Sequence, residues 1–148
     1  MKDSSGEAER WLRQAENDIG FARLALNERY YHQACFISQQ AAEKALKAIL
    51  YARGERIVLG HSLVGLVAEV AKAIPEVAER REGAGILDQY YIPTRYPNGL
   101  PGGVPFEAFG EAQARAALDE AARFVALATA HTSPNRERDG TSDPMSDA

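Results

Sequence analysis

An all-α fold, an antiparallel bundle of four to five helices, is the class this sequence predicts, and three observations carry it. Apolar residues recur at intervals of three and four through four long segments, the spacing of amphipathic helices. No segment shows the strict apolar–polar alternation of a half-buried strand. Prolines at 93, 97, 101 and 105 rule out regular helix in one stretch and mark it as a long Pro/Gly/Tyr loop before the last helix.

Ser4 and Glu7 have capping-box spacing and open a first helix that runs to about Asn27. Trp11, Ala15, Ile19, Ala22 and Leu26 form its buried stripe, and Asp18 lies inside that stripe, where a carboxylate needs a partner. A short polar break follows at Asn27-Glu28-Arg29. The second helix extends from about Tyr31 to Arg53, with Tyr31, Ala34, Cys35, Ser38, Ala42, Ala45, Leu46 and Ile49 on one face. Gln40, Lys44 and Lys47 project from the opposite face. Phe36 and Ile37 fall off the stripe and call for a second apolar contact, which a homodimer would supply.

Gly54 is placed to stop this helix, and residues 55 to 60 connect it to a third. That helix begins near Ser62 and buries Leu63, Leu66, Val67, Val70 and Ile74, until Pro75 interrupts it. A short helix from about Glu76 to Gln89 leads into the proline loop. Gly99 to Gly103 reads as a flexible loop tip, and a last helix over roughly Phe106 to Ala130 carries Ala114, Ala117, Leu118, Ala121, Phe124, Val125 and Ala128 as its stripe. Residues 1–131 form one domain, and 132–148 form a polar tail expected to be disordered.

Composition narrows the function classes. The chain of 148 residues is one domain long, and its 45% apolar content is that of an ordinary soluble protein. No apolar run approaches the roughly 20 residues that span a bilayer, and the first residues lack the apolar stretch of a secretory signal. Membrane association is not expected, and the expected address is cytoplasmic. With Cys35 alone there is no internal disulfide and no cysteine-rich metal site, and no cofactor motif occurs. A net charge of −4 argues against a dedicated nucleic-acid binder, though not against a local phosphate pocket.

Three pieces carry more information than composition: Gln39-Gln40-Ala41-Ala42-Glu43-Lys44-Ala45-Leu46-Lys47-Ala48, then His61-Ser62-Leu63, then Tyr90-Tyr91-Ile92-Pro93-Thr94-Arg95-Tyr96-Pro97. In order and spacing they resemble the HEPN family, from about Glu7 to His131. The resemblance implies a small helical domain of the kind found beside minimal nucleotidyltransferases and in some toxin ribonucleases. The ribonuclease members share an arginine followed, after four to six residues, by a histidine. One literal match exists, Arg56-Ile57-Val58-Leu59-Gly60-His61, but it lies in the connector before the third helix. In the toxin members the motif belongs to the late helical region. No histidine follows Arg95 until His131, so the resemblance transfers no catalytic pair.

Arg95 is the leading site candidate. In a proline-stiffened loop its guanidinium can take phosphate or carboxylate bidentately while Tyr91 or Tyr96 stacks on a base. Alternatively it anchors the loop on backbone carbonyls or on Asp88, with the tyrosines covering the bundle end. His61 stands before a helix and either accepts a capping hydrogen bond or serves an anion site. Lys44 and Lys47, one turn apart, are either a small phosphate patch or solvated helix-face lysines.

The expected function is a non-catalytic, homodimeric protein that binds a nucleotide, a minimal nucleotidyltransferase partner, or both, in a toxin–antitoxin-type pair. The nucleotide-binding set would be Arg95, Tyr91, Tyr96, His61, Lys44 and Lys47, with no catalytic residue and no metal. The alternatives are a dimeric toxin-type ribonuclease, with RNA the less favoured ligand, and a purely structural interaction module.

Overall fold

In the computed structural model, residues 4–132 are described, and the expected disordered tail from 133 onward lies outside them. Among these residues there are six α-helices and no strand: α1 (Ser4–Asn27), α2 (Tyr31–Ala52), α3 (Leu63–Ala71), α4 (Arg81–Asp88), α5 (Pro105–Ala108) and α6 (Glu111–Thr132). Two 3₁₀ turns, Pro75–Arg80 and Pro97–Gly99, complete the path. The predicted helical bundle is observed. Thr132, assigned above to the tail, is instead the buried last residue of α6, its hydroxyl donating to the Ala128 carbonyl at 2.5 Å.

The turn joining α1 to α2 is closed by backbone alone. Tyr30 N–H donates to the Ala25 carbonyl and Arg29 N–H to that of Leu26, the paired bonds of a Schellman motif, with Arg29 in the left-handed region at φ 67°. The end of α2 repeats the pattern with the residue type that suits it. Glu55 N–H reaches Leu50, Gly54 N–H reaches Tyr51, and Gly54 takes φ 100°.

Helix α2 is the axis of the bundle, packed against α1, α3 and α6. Its predicted stripe is buried, from Ala34, Cys35 and Ser38 to Leu46 and Ile49, but so are Gln39 and Glu43, and Lys47 on the side read as polar. Amphipathic periodicity assumes one buried face, and a helix flanked by three neighbours has more than one. Phe36 and Ile37 need no second copy. Phe36 meets the Tyr91 ring at 6.4 Å, and Ile37 packs against the core.

The chain between α3 and α6 departs from expectation at its ends. Helix α3 is capped by Ser62, whose Oγ accepts from Gly65 N–H, and by Asp88, whose carboxylate accepts from Leu63 N–H at 2.6 Å and Val64 N–H at 3.2 Å. The segment read as one helix from 76 begins as a 3₁₀ turn, with Pro75 at its start. The last helix begins at Glu111 rather than Phe106. Phe109 is extended and turns its ring edge-on to buried Tyr90, centroids 5.9 Å apart, which breaks the helix between α5 and α6.

Candidate functional site

The proline loop is tied down from inside. Thr94 is fully buried and its hydroxyl donates to the Tyr90 carbonyl at 2.5 Å, while Arg95 and Tyr96 N–H both donate to the Ile92 carbonyl. Gly99 is part of this tie and not of a flexible tip. A Cβ there would stand 3.0 Å from Pro93 Cα, tighter than an ordinary contact, so the close approach favours glycine. Gly102 and Gly103, by contrast, face open space.

That rigidity aims Arg95. Its Nε donates to the Tyr91 carbonyl at 2.8 Å, and its guanidinium carbon lies 4.6 Å from the Phe36 ring centre, 4.6 Å from Tyr91 and 5.1 Å from Tyr96. Three ring faces around one cation stabilise its position by about 0.5–1 kcal/mol each at a partly exposed site. Asp88, offered above as an anchor for Arg95, is committed to the α3 N-terminus instead. The Nη atoms have no hydrogen-bond partner among the described residues.

His61 shares Tyr91 with Arg95. Its ring stacks on Tyr91, centroids 5.1 Å apart and planes inclined by 19°. Its Nδ1 lies 3.2 Å from Glu43 Oε1 and 3.3 Å from Oε2, so this nitrogen carries the proton and donates to the carboxylate. Nε2 therefore faces away from Glu43, on a side chain 60% exposed. Glu43 itself is buried, and it also accepts from Lys47 Nζ at 3.2 Å and Gln39 Nε2 at 3.4 Å. Gln39 Nε2 additionally reaches the His61 carbonyl at 3.5 Å, and Gln40 donates to Gln39 Oε1 at 2.7 Å. The Gln39-Gln40…Glu43…Lys47 row thus seats His61, next to the α3 cap residue Ser62, and, through it, the proline loop.

Arg95, Tyr91, Tyr96 and His61 are therefore one cluster. The two lysines are not exposed members of it. Lys47 is buried in its ion pair with Glu43, its ammonium 5.4 Å from the Trp11 ring centre. Lys44 turns toward α1 and pairs with Asp18 at 2.5 Å, which answers the need of a carboxylate in an apolar stripe. Neither stands beside Arg95 as expected above, because the face of α2 that carries them turns toward α1, burying Lys47 and leaving Lys44 partly exposed. Glu43, Gln39 and Phe36 are site residues that the sequence alone does not single out. The signal for the first two is a set of polar residues at i, i+4 and i+8 within a run of buried alanines.

Arg95 also lines a shallow cavity of about 290 Å³, together with His32, Gln33, Thr94, Pro97 and Phe106 among others. Burial holds the His32 imidazole below its ordinary pKa, so it is neutral at pH 7. No group of three or more metal-ligating side chains occurs among the described residues, and none of their helices is long and apolar enough to cross a membrane.

Comparison with known proteins is decisive at the level of family. A model of the HEPN domain matches residues 8–131. The chain belongs to the HEPN family. Its structure is similar to that of TT1696 from Thermus thermophilus, with a TM-score of 0.79 and 38% identity over 84% of this chain and 97% of that one. It is also similar to ST0689, an archaeal HEPN homologue, with a TM-score of 0.70 and 35% identity over 89% of this chain and 99% of the other. No curated protein matches. The Gln-Gln-Ala-Ala-Glu-Lys run of this HEPN chain has a structural duty, the buried row under His61, and its Thr-Arg-Tyr-Pro loop holds the half-buried arginine.

Proposed function

We propose that this HEPN protein is non-catalytic and binds a nucleotide where Arg95, Tyr91, Tyr96 and His61 meet, acting as the partner of a separately encoded minimal nucleotidyltransferase. The observation that carries this reading is the state of Arg95. Its stem is fixed by one backbone bond and three ring faces, while its Nη fork has no partner among the described residues. A pre-positioned, unpaired fork suits a phosphate, which it can hold through two parallel hydrogen bonds. Tyr96, half exposed, offers a face on which a base can stack. Lys44 and Lys47 have no part in this site. The minimal nucleotidyltransferase, a toxin–antitoxin-type pairing and a homodimer rest on family membership. Exposed Phe21, Leu24 and Tyr30 are apolar surface available to a partner of either kind.

The test is a thermal-shift and calorimetric screen of nucleoside mono-, di- and triphosphates against wild type and Arg95→Ala. A ligand at 100 times its Kd adds about 2.7 kcal/mol of stability. The expected result is a shift that Arg95→Ala removes. Equal binding by the variant would dismiss the loop as the site.

One observation favours a second reading, the dimeric ribonuclease. Glu43 fixes the tautomer of His61 and leaves Nε2 outward, an arrangement suited to proton transfer. Cleavage of mixed RNA by wild type that His61→Ala abolishes would replace the non-catalytic proposal.

A further inference from the structure

A groove of about 620 Å³ between α1 and α2 is lined by Arg10, Trp11, Arg13, Gln14, Asn17 and Lys44. Its lining holds three cations, two carboxamides and an indole, and no carboxylate. The neutralising carboxylates belong to buried residues beside it. Glu7, 9% exposed, accepts from Arg10 Nη1 at 2.6 Å and Trp11 Nε1 at 3.4 Å. Asp18, 7% exposed, accepts from Lys44 Nζ at 2.5 Å and Gln14 Nε2 at 3.0 Å. Each carboxylate thus holds two of the lining donors in place. Lys44 and Arg10 have further N–H groups to offer.

We propose that this groove is a binding site for a short chain of phosphates, separate from the Arg95 cluster. Three observations select that chemistry. Arg10, Arg13, Gln14 and Asn17 follow one face of α1 through two helical turns, a strip of about 10 Å, which suits a linear polyanion better than a single ion. Lys44 completes it from α2. The indole, which meets Tyr51 at 5.6 Å and the Lys47 ammonium at 5.4 Å from its ring centre, is the single aromatic in a lining otherwise made of cations and carboxamides, so the groove favours recognition by phosphate. Lys44 also lies eight residues along α2 from Phe36, whose ring contacts Arg95, a rise of about 12 Å along the helix axis, so the two sites are distinct. The phosphate chain can be free or the tail of a nucleotide.

The test is isothermal titration in low-salt, magnesium-free buffer with pyrophosphate, tripolyphosphate, ATP and adenosine. The proteins are wild type, Arg13→Glu, Arg10→Gln and Arg95→Ala, each checked for an unchanged melting curve. Arg13 and Arg10 are exposed, so these variants should fold. Tripolyphosphate is expected still to bind Arg95→Ala, in which the Arg95 cluster is removed, and to lose at least about tenfold at the groove in Arg13→Glu, with weakening as salt rises. ATP should match tripolyphosphate within about threefold at this site, and adenosine should not bind. ATP binding much tighter than tripolyphosphate, and lost in Arg13→Glu, would assign the groove to nucleotides and overturn recognition by phosphate alone. No binding of either phosphate chain, equal binding in Arg13→Glu and Arg10→Gln, or loss in Arg95→Ala would each overturn the proposal.

Discussion

Removing the ammonium of Lys47 while leaving Glu43 in place is the sharpest available test of how this bundle is held. Both side chains are about 95% buried, and their 3.2 Å contact is the ion pair at the centre of the Gln39–Glu43–Lys47 row. Lys47→Met keeps the length and apolar character of the stem. It strands a buried carboxylate whose remaining donors are His61 Nδ1 at 3.2 Å and Gln39 Nε2 at 3.4 Å. Breaking a buried pair on one side costs about 3–5 kcal/mol, and the two surviving donors place this case near the lower end, about 3 kcal/mol. For a domain of this size that is a fall of about 10 °C in Tm. The double variant Glu43→Gln/Lys47→Met removes both charges at nearly constant volume and should return to within about 1 kcal/mol of wild type. Urea denaturation followed by circular dichroism, run as a double-mutant cycle, reads all four states. A single variant losing less than about 1 kcal/mol, or a double variant as unstable as the sum of its singles, would refute the claim that the pair is buried and coupled.

Further outcomes follow from other local geometries. Arg29→Gly should stabilise the protein by about 0.5–1 kcal/mol in thermal unfolding, because glycine takes the left-handed position without the Cβ penalty and arginine does not. Ser38→Ala should be neutral or stabilising by about 1 kcal/mol, since Ser38 Oγ is fully buried without a hydrogen-bond partner among the described residues. Cys35, whose thiol burial pushes up to about 12, should react with iodoacetamide at pH 8 only at the rate of unfolding and quickly in urea; rapid labelling of the folded protein would contradict its burial. His32 sits below its ordinary value in the folded state, so the unfolded chain binds the extra proton and stability is lost as pH falls below about 6.5. The drop in urea midpoint between pH 7.5 and 5 should be smaller in His32→Gln than in wild type.

What is legible in the sequence is local. The spans of the first two helices, the glycine that ends α2 and the start of α3 near Ser62 depend on residues within one or two turns of each other, and they stand where the sequence predicts them. The start of the last helix is not legible in this way, because Phe109 answers to Tyr90, nineteen residues away, and not to its neighbours. The site is hidden for the same reason. His61 is solitary in sequence, yet its carboxylate is Glu43, eighteen residues earlier on another element. A helical wheel, which knows one buried face, assigns Lys44 and Lys47 to solvent, whereas α2 is enclosed by three helices.

The buried row links the hidden site to the misread lysines. Polar groups at 39, 43 and 47 destabilise a helix interface unless every donor and acceptor is met, and here the requirement is met from outside α2, by the side chain and the carbonyl of His61. His61 then stacks on Tyr91, and Tyr91 in turn carries Arg95. The satisfaction of a core network and the placement of the half-buried arginine are therefore one set of contacts. A change at Glu43 should register at Arg95 even though no atom of the two side chains meets, and an aliphatic replacement of the whole row, though tolerable for stability, would leave the loop without its seat.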